Sequence, residues 1–195
     1  MFKLLPFALL ATLAVADPTV YLIRHGEKPD SGDGLNAQGL ERAQCLRNVF
    51  GASSGYDIGH IMAQTPSSSG KRQRPYDTVE PLAEDLGLTV DTSCDRDDPK
   101  CVQKVVDNYT GSGNILICWE HDALTDIVEQ LGDDNAPDYP DDRYVPRPVK
   151  DGDDSLEVVW NRANFDNSFN IIWTDPSPYT SITSETSENC PGLDN

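Results

Sequence analysis

The segment YLIRHGEKPD, which begins at Tyr21, places Arg24, His25 and Gly26 directly after a short apolar run. A neutral imidazole can attack phosphorus, and a guanidinium offers two parallel N–H groups that match a phosphate edge. Glycine has no side chain and lets the backbone approach a bound group closely. The three residues together predict a site for covalent phosphoryl transfer, with His25 as the nucleophile.

Two further residues have the chemistry that such a site requires. Arg74 precedes a predicted helix within the basic segment KRQRPYDT, and His121 follows the apolar run ILICW. Positive charge is needed around the three equatorial oxygens of a transferring phosphoryl group. Taken alone, His121 is more often a packing residue, and the arginine belongs to an ordinary basic loop. The prediction therefore depends on the elements that would bring these residues together.

Strands alternate with helices along most of the chain, which predicts an α/β fold: a three-layer α/β/α sandwich with a mainly parallel central sheet. In such sheets ligands bind at the carboxyl ends of the strands. His25 and His121 both follow predicted strands, whereas His60 falls inside one and is interpreted as structural. The predicted strands cover 18–24, 58–64, 88–90, 114–119, 156–160 and 169–173, and the predicted helices cover 37–50, 75–86, 99–109 and 123–131.

The first sixteen residues, MFKLLPFALLATLAVA, have a lysine, an apolar middle and a final Ala-Val-Ala. This order is typical of a secretory signal peptide. Residues 17–195 are then long enough for one domain with a substantial core. The segment 133–154 is rich in aspartate and proline and predicts an acidic surface loop, and the Ser/Thr-rich tail at 174–195 is expected to be irregular.

The chain of 195 residues carries a formal charge of −18. Because Lys3 is the only charged residue in the predicted signal peptide, the mature chain would carry −19. A negative excess of this size disfavours nucleic acid and anionic membrane surfaces as partners. It is typical of a soluble extracellular protein, and it means that an anionic ligand would need a local group of cations.

Five cysteines and one glycosylation sequon agree with an oxidising, extracellular location. Cys94 and Cys101 enclose six residues and are the predicted disulfide bond. Cys118 lies in an apolar run and is interpreted as a buried thiol, which leaves Cys45 and Cys190 as a possible second pair. Asn108, in Asn-Tyr-Thr, is the predicted glycosylation site.

Four segments in order resemble the histidine phosphatase superfamily, also called phosphoglycerate-mutase-like. YLIRHGEKPD resembles its opening motif, and GLNAQGLERAQCL resembles the stretch leading into its first helix. RPYDT resembles its pattern of an arginine followed four residues later by a threonine, and ILICWEH resembles the strand ending in its second histidine. The resemblance covers about residues 20–132.

This resemblance implies that His25 becomes phosphohistidine and that Arg24, Arg74 and His121 hold the phosphoryl oxygens. Water would then release phosphate, with no metal and no cofactor. The proton donor stays open. Asp122 is preferred because it forms a His-Asp pair like that of the acid-phosphatase members, and Glu120 is the close alternative; a carboxylate of the acidic loop or of residues 95–98 is a further option.

Glu27 and Lys28 follow the motif and are candidates for the substrate rim, although Lys28 is equally compatible with a solvated surface position. The sequence thus predicts a secreted phosphomonoester hydrolase acting on a small phosphorylated substrate. The alternative is a weak or inactive secreted protein that binds inorganic phosphate or another anion in the same pocket. A phosphoglycerate mutase is disfavoured because a glycolytic substrate does not suit a secreted chain. Oligomeric state and substrate identity are left open.

Overall fold

A computed structural model describes residues 17–137, 139 and 171–193. The predicted signal peptide, most of the acidic loop and the predicted strand at 156–160 lie outside these residues. The elements are β1 (Val20–Arg24), α1 (Ala37–Val49), β2 (Ile58–Ala63), α2 (Arg74–Leu86), β3 (Val90–Asp91), α3 (Pro99–Asp107), β4 (Asn114–Trp119), a 3-10 turn (His121–Ala123), α4 (Leu124–Leu131), β5 (Ile171–Asp175) and β6 (Ser184–Ser187).

The six described strands form one mixed sheet in the order β3-β2-β4-β1-β5-β6. Strand β4 pairs in parallel with β1 and with β2, and β2 pairs in parallel with β3. Strand β5 is antiparallel to both β1 and β6. The predicted α/β class is therefore confirmed as an α/β fold with a mixed sheet, whose centre is formed by the parallel pairs β2-β4 and β4-β1.

Successive residues of β1 and β4 face opposite sides of the sheet, so each strand contributes to two apolar clusters. Leu22 and Ile117 belong to the cluster that includes α3 and α4. Ile23 and Leu116 belong to the cluster that includes α1 and α2. All four side chains are fully buried. This two-sided burial explains why the strands are continuous apolar runs in the sequence.

The ends of the helices have local causes that the sequence displays. Asn36 caps α1, because its side-chain oxygen accepts a hydrogen bond of 2.9 Å from the Gly39 N–H. Pro75 lies in the first turn of α2, where its missing N–H costs nothing. Gly87 ends α2 in the left-handed conformation, with φ of 67°.

The C-terminal segment differs from the irregular tail that the sequence predicts. Residues 184–187 form β6 by pairing with the outer edge of β5. Three of these four residues are exposed, so no apolar alternation marks the strand in the sequence. The free backbone groups of β5 supply the pairing instead.

Both predicted disulfide bonds are present in the structure. Cys94 is bonded to Cys101, and Cys45 is bonded to Cys190, which attaches the C-terminal segment to α1. Cys118 is a buried free thiol whose pKa is raised by burial. Within the described parts of the chain, no helix is long and apolar enough to cross a membrane.

Candidate active site

The carboxyl ends of β1, β4 and β2 lie side by side in the sheet. Arg24 at the end of β1 is in register with Trp119 at the end of β4, and Ala63 of β2 is in register with Cys118. His25 continues the ladder, since its backbone N–H donates to the Trp119 carbonyl at 3.1 Å. The residues that follow β1 and β4 therefore meet at one edge, as the sequence predicts.

His25 is held in one tautomer by its own loop. Its Nδ1 lies 2.7 Å from the Gly26 carbonyl oxygen, which can only accept a hydrogen bond. Nδ1 therefore carries the proton, and Nε2 keeps its lone pair in the neutral ring. Burial, followed by the charges of Arg24, Arg74 and His121, lowers the pKa of His25 to about 4, although the hydrogen bond that Nδ1 donates to the Gly26 carbonyl acts to raise it. The ring is thus a neutral, oriented nucleophile at ordinary pH.

The side chains of Arg24, Arg74 and His121 act electrostatically on this ring. The His121 ring lies with its centroid 6.2 Å from that of His25, in an edge-to-face arrangement. Arg24 is 4 % exposed, and its Nε and Nη1 have no hydrogen-bond partner among the described residues. The Nε of Arg74 is likewise buried without such a partner in the described chain. A buried N–H donor without an acceptor costs free energy. These residues therefore favour a bound anion that would accept their hydrogen bonds.

Thr78 joins the two segments that carry the arginines. Its hydroxyl accepts a hydrogen bond of 2.9 Å from the Gly26 N–H and donates one of 2.7 Å to the Arg74 carbonyl. One buried hydroxyl therefore fixes the loop after β1 to the first turn of α2. The spacing of Arg74 and Thr78 is visible in the sequence, but no role for the threonine was predicted from it.

Tyr139 holds the backbone of Arg24 in place. Its hydroxyl accepts a hydrogen bond from the Arg24 backbone N–H at 3.3 Å and donates to the Ile171 carbonyl at 2.8 Å. The ring is buried and packs edge-to-face on Trp173. This residue was not identified from the sequence, because an isolated tyrosine 115 positions away from Arg24 has no local pattern.

The two candidate proton donors lie beside His121 and share a cation. Asp122 Oδ1 lies 3.2 Å from His121 Nε2. Arg96 donates from Nε to a carboxylate oxygen of Glu120, and its Nη2 lies 3.8 Å from Asp122 Oδ2. The Glu120 N–H donates to the buried side-chain oxygen of Gln64 at 3.1 Å. Neither Arg96 nor Gln64 was identified from the sequence.

Glu27 is part of a buried ion network and contacts α1. Arg42, whose side chain is fully buried, donates from Nη2 to Glu27 at 2.6 Å and from Nη1 to Glu188 at 2.9 Å. Although burial acts to raise the pKa of Glu27, the Arg42 hydrogen bond and charge lower it overall. Gly39 packs against the same loop, since a Cβ there would lie 2.5 Å from the Glu27 carbonyl oxygen. Lys28 is exposed.

Asn108 lies apart from these residues. It caps the end of α3, is exposed, and lines a groove together with His60 and Tyr109. His60 is in register with Ile115, near the amino end of β4, whereas the candidate active site lies at the carboxyl end. Among the described residues, no group of three or more His, Cys, Asp or Glu side chains has an arrangement that could hold a metal ion.

Comparison with known proteins adds information at the level of the fold. No family profile matches the chain, and no curated protein matches it. Solved structures do match, 18 chains in all. One is described as a "putative phosphohistidine phosphatase SixA" from Agrobacterium tumefaciens, with a TM-score of 0.50 and 14 % identity, covering 88 % of this chain and 98 % of that chain. At this identity the likeness shows the fold alone: the α/β architecture of the described residues, with its mixed sheet of six strands, is consistent with a phosphoglycerate-mutase-like fold.

Proposed function

We propose that this protein is a secreted phosphomonoester hydrolase that acts through a covalent phosphohistidine on His25, without a metal. The proposed framework is a three-layer α/β/α sandwich with a mainly parallel sheet. One observation supports the chemistry above the others: Arg24 and Arg74, which have buried guanidinium donors without partners among the described residues, act electrostatically on a neutral His25. The similar SixA structure is described as a "putative phosphohistidine phosphatase", and this description supports the same class of reaction.

In this proposal the arginines and His121 bind the phosphoryl oxygens. Nε2 of His25 then forms a bond to phosphorus while the ester P–O bond breaks. A carboxyl group, Asp122 or Glu120, gives a proton to the leaving alcohol. Water afterwards attacks phosphorus, the P–N bond breaks, and inorganic phosphate leaves. The low pKa of His25 favours this course, because the imidazole is unprotonated when substrate arrives.

The direct test is hydrolysis of an aryl phosphate by the wild-type protein and by His25→Gln. We expect the variant to lose at least about 1,000-fold in kcat, because the covalent route is removed. His60→Gln is the matched control, since His60 lies outside the pocket and contacts Asp91; it should retain wild-type turnover. Rapid quenching should trap an acid-labile phosphoryl group on the wild-type chain alone. Equal turnover by His25→Gln and wild type would contradict the proposal, and inhibition by a chelator would contradict its metal independence.

A second candidate is a protein that binds phosphate without turnover. It is favoured by two ion pairs of Arg96, with Glu120 and with Asp122, because they engage both candidate acids. Calorimetry with inorganic phosphate would then show binding while no ester is hydrolysed between pH 4 and 7. Hydrolysis that disappears in Asp122→Ala or Glu120→Ala would reject this candidate.

A further inference from the structure

The C-terminal segment is connected to the loop after β1 by one buried guanidinium. Arg42 lies in α1, and its side chain is fully buried between two carboxylates. Its Nε and Nη2 donate to Glu27, which lies two residues after His25. Its Nη1 donates at 2.9 Å to Glu188, which is 146 positions away along the chain and whose side chain is equally buried. Arg42 therefore joins the loop that carries the proposed nucleophile to the last part of the described chain.

Glu188 is held in place on both sides along the chain. Ser187, directly before it, ends β6 and pairs with β5. Cys190, two residues after it, forms the disulfide bond with Cys45 of α1. Cys45 follows Arg42 by three residues, so the disulfide bond and the guanidinium attach the C-terminal segment to neighbouring turns of one helix. The pairing of β6 and a covalent bond therefore keep Glu188 against Arg42.

The contacts of α1 with Glu27 bear on the orientation of the His25 ring. The Glu27 N–H and the Gly26 carbonyl belong to one planar peptide group, and His25 Nδ1 donates to that carbonyl at 2.7 Å. The backbone of Glu27 is held by the N-cap of α1, because its carbonyl accepts a hydrogen bond of 2.9 Å from the Asn36 N–H. Arg42 holds the side chain with Nε and Nη2, and this fork fixes its direction as well as its distance. Release of the Glu27 side chain would therefore let the peptide group turn and the ring exchange its tautomer.

We infer that Arg42 is a positioning residue for His25, and that the C-terminal segment holds Arg42 in place through Glu188. Both residues act through the loop after β1 and not by contact with the phosphoryl group. They keep the proton of His25 on Nδ1, which leaves the Nε2 lone pair directed at phosphorus. In its effect on turnover this inference rests on the proposed function. The orientation of the ring, in contrast, is a property of the folded protein and is measured without substrate.

The first test is Arg42→Lys, which keeps a positive charge but has one ammonium group in place of the planar fork. Arg47→Lys is the matched control, since Arg47 belongs to the same helix, is 41 % exposed and pairs with Asp85. Imidazole ¹⁵N shifts at pH 7 report which ring nitrogen of the neutral His25 carries the proton. We expect Nδ1 alone in wild type and in the control, and a mixture of the two tautomers in Arg42→Lys.

Turnover of an aryl phosphate supplies the second measurement. Arg42→Lys should lower kcat by about 10- to 100-fold, because the reactive ring is misoriented. KM should change by less than about twofold, because Arg24 and Arg74 stay in place. Glu188→Ala should also lower kcat, and its matched control Glu185→Ala, an exposed position of β6, should not. Because Arg42 and Glu188 act through one contact, the fold-loss of the double variant should be smaller than the product of the two single fold-losses.

A single Nδ1 tautomer in folded Arg42→Lys, or an unchanged kcat in that variant, would overturn the inference. Single fold-losses that simply multiply would overturn the part assigned to the C-terminal segment. If Arg42→Lys does not fold, a single tautomer in Glu188→Ala would overturn the inference in its place. Absence of turnover in the wild-type protein would contradict the proposed function, whereas the tautomer comparison would still decide whether Arg42 positions His25.

Discussion

Burial and neighbouring cations lower the pKa of His25 from 6.5 to about 4. At 1.36 kcal/mol per pKa unit, protonation of this imidazole costs about 3.4 kcal/mol more in the folded protein than in water. The side chain is only 3 % exposed, so solvent screens this cost little. Because the folded pKa is depressed, the unfolded chain takes up the proton first as the pH falls from about 6.5 to about 4. The contribution of His25 to folding stability should therefore decrease by up to about 3.4 kcal/mol over that interval.

The assay is an NMR titration of histidine labelled with ¹³C at Cε1. Three imidazole signals are expected, and His25→Gln and His60→Gln assign two of them. We expect the His25 signal to titrate near pH 4 in the free protein. Inorganic phosphate should move this midpoint upward, because an anion beside the ring favours the imidazolium. NMR is preferred to an activity profile because phosphomonoesters themselves ionise near pH 6.

A His25 midpoint near 6.5, or one that phosphate does not move, would refute the reasoning. Urea unfolding supplies an independent measurement. The difference in unfolding free energy between wild type and His25→Gln should change by up to about 3.4 kcal/mol from pH 7 to below pH 4, and His60→Gln should not show this change. A parallel pH dependence of stability in wild type and His25→Gln would also contradict the prediction.

Three further predictions concern stability and positioning. Asp175 is fully buried, neither of its carboxylate oxygens has a partner within the described chain, and its pKa is raised to about 7 by burial and by Asp133. Asp175→Asn should therefore raise the unfolding free energy in urea by up to about 4 kcal/mol above pH 7, with the gain vanishing near pH 4, and a gain independent of pH would contradict this. Replacing both Cys45 and Cys190 by serine should lower the unfolding free energy by about 2–5 kcal/mol in the same assay. This loss should exceed that from removing the Cys94–Cys101 disulfide, because the bonded residues are 145 positions apart rather than 7. The opposite order of the two losses would refute this prediction. Thr78→Val leaves the buried Gly26 N–H without its acceptor, so it should lower the unfolding free energy by about 1–3 kcal/mol and also lower kcat. Thr78→Ser keeps the hydroxyl and should restore kcat. Equal kcat in the two variants would contradict the positioning role.

Local patterns were sufficient for much of the fold. The four helices of the described residues begin and end near caps, prolines and glycines that act over one turn, as Asn36 and Gly87 illustrate. The central strands are apolar on both faces, so their runs are visible without knowledge of their neighbours. The edge strand β6 has no such marker, because its exposed residues pair through the backbone alone. It could not be identified from its own residues.

The candidate site, like the fold, has a part that local sequence determines and a part that it does not. The sequence by itself determined that His25 and His121 each follow an apolar strand, and parallel strands bring their carboxyl ends to one edge of the sheet. Only the tertiary structure decided which side chains those residues meet. The contact of Thr78 with Gly26 spans 52 positions, and that of Arg42 with Glu188 spans 146. Partners of this kind are selected by packing and burial in three dimensions, and no periodicity or spacing along the chain specifies them.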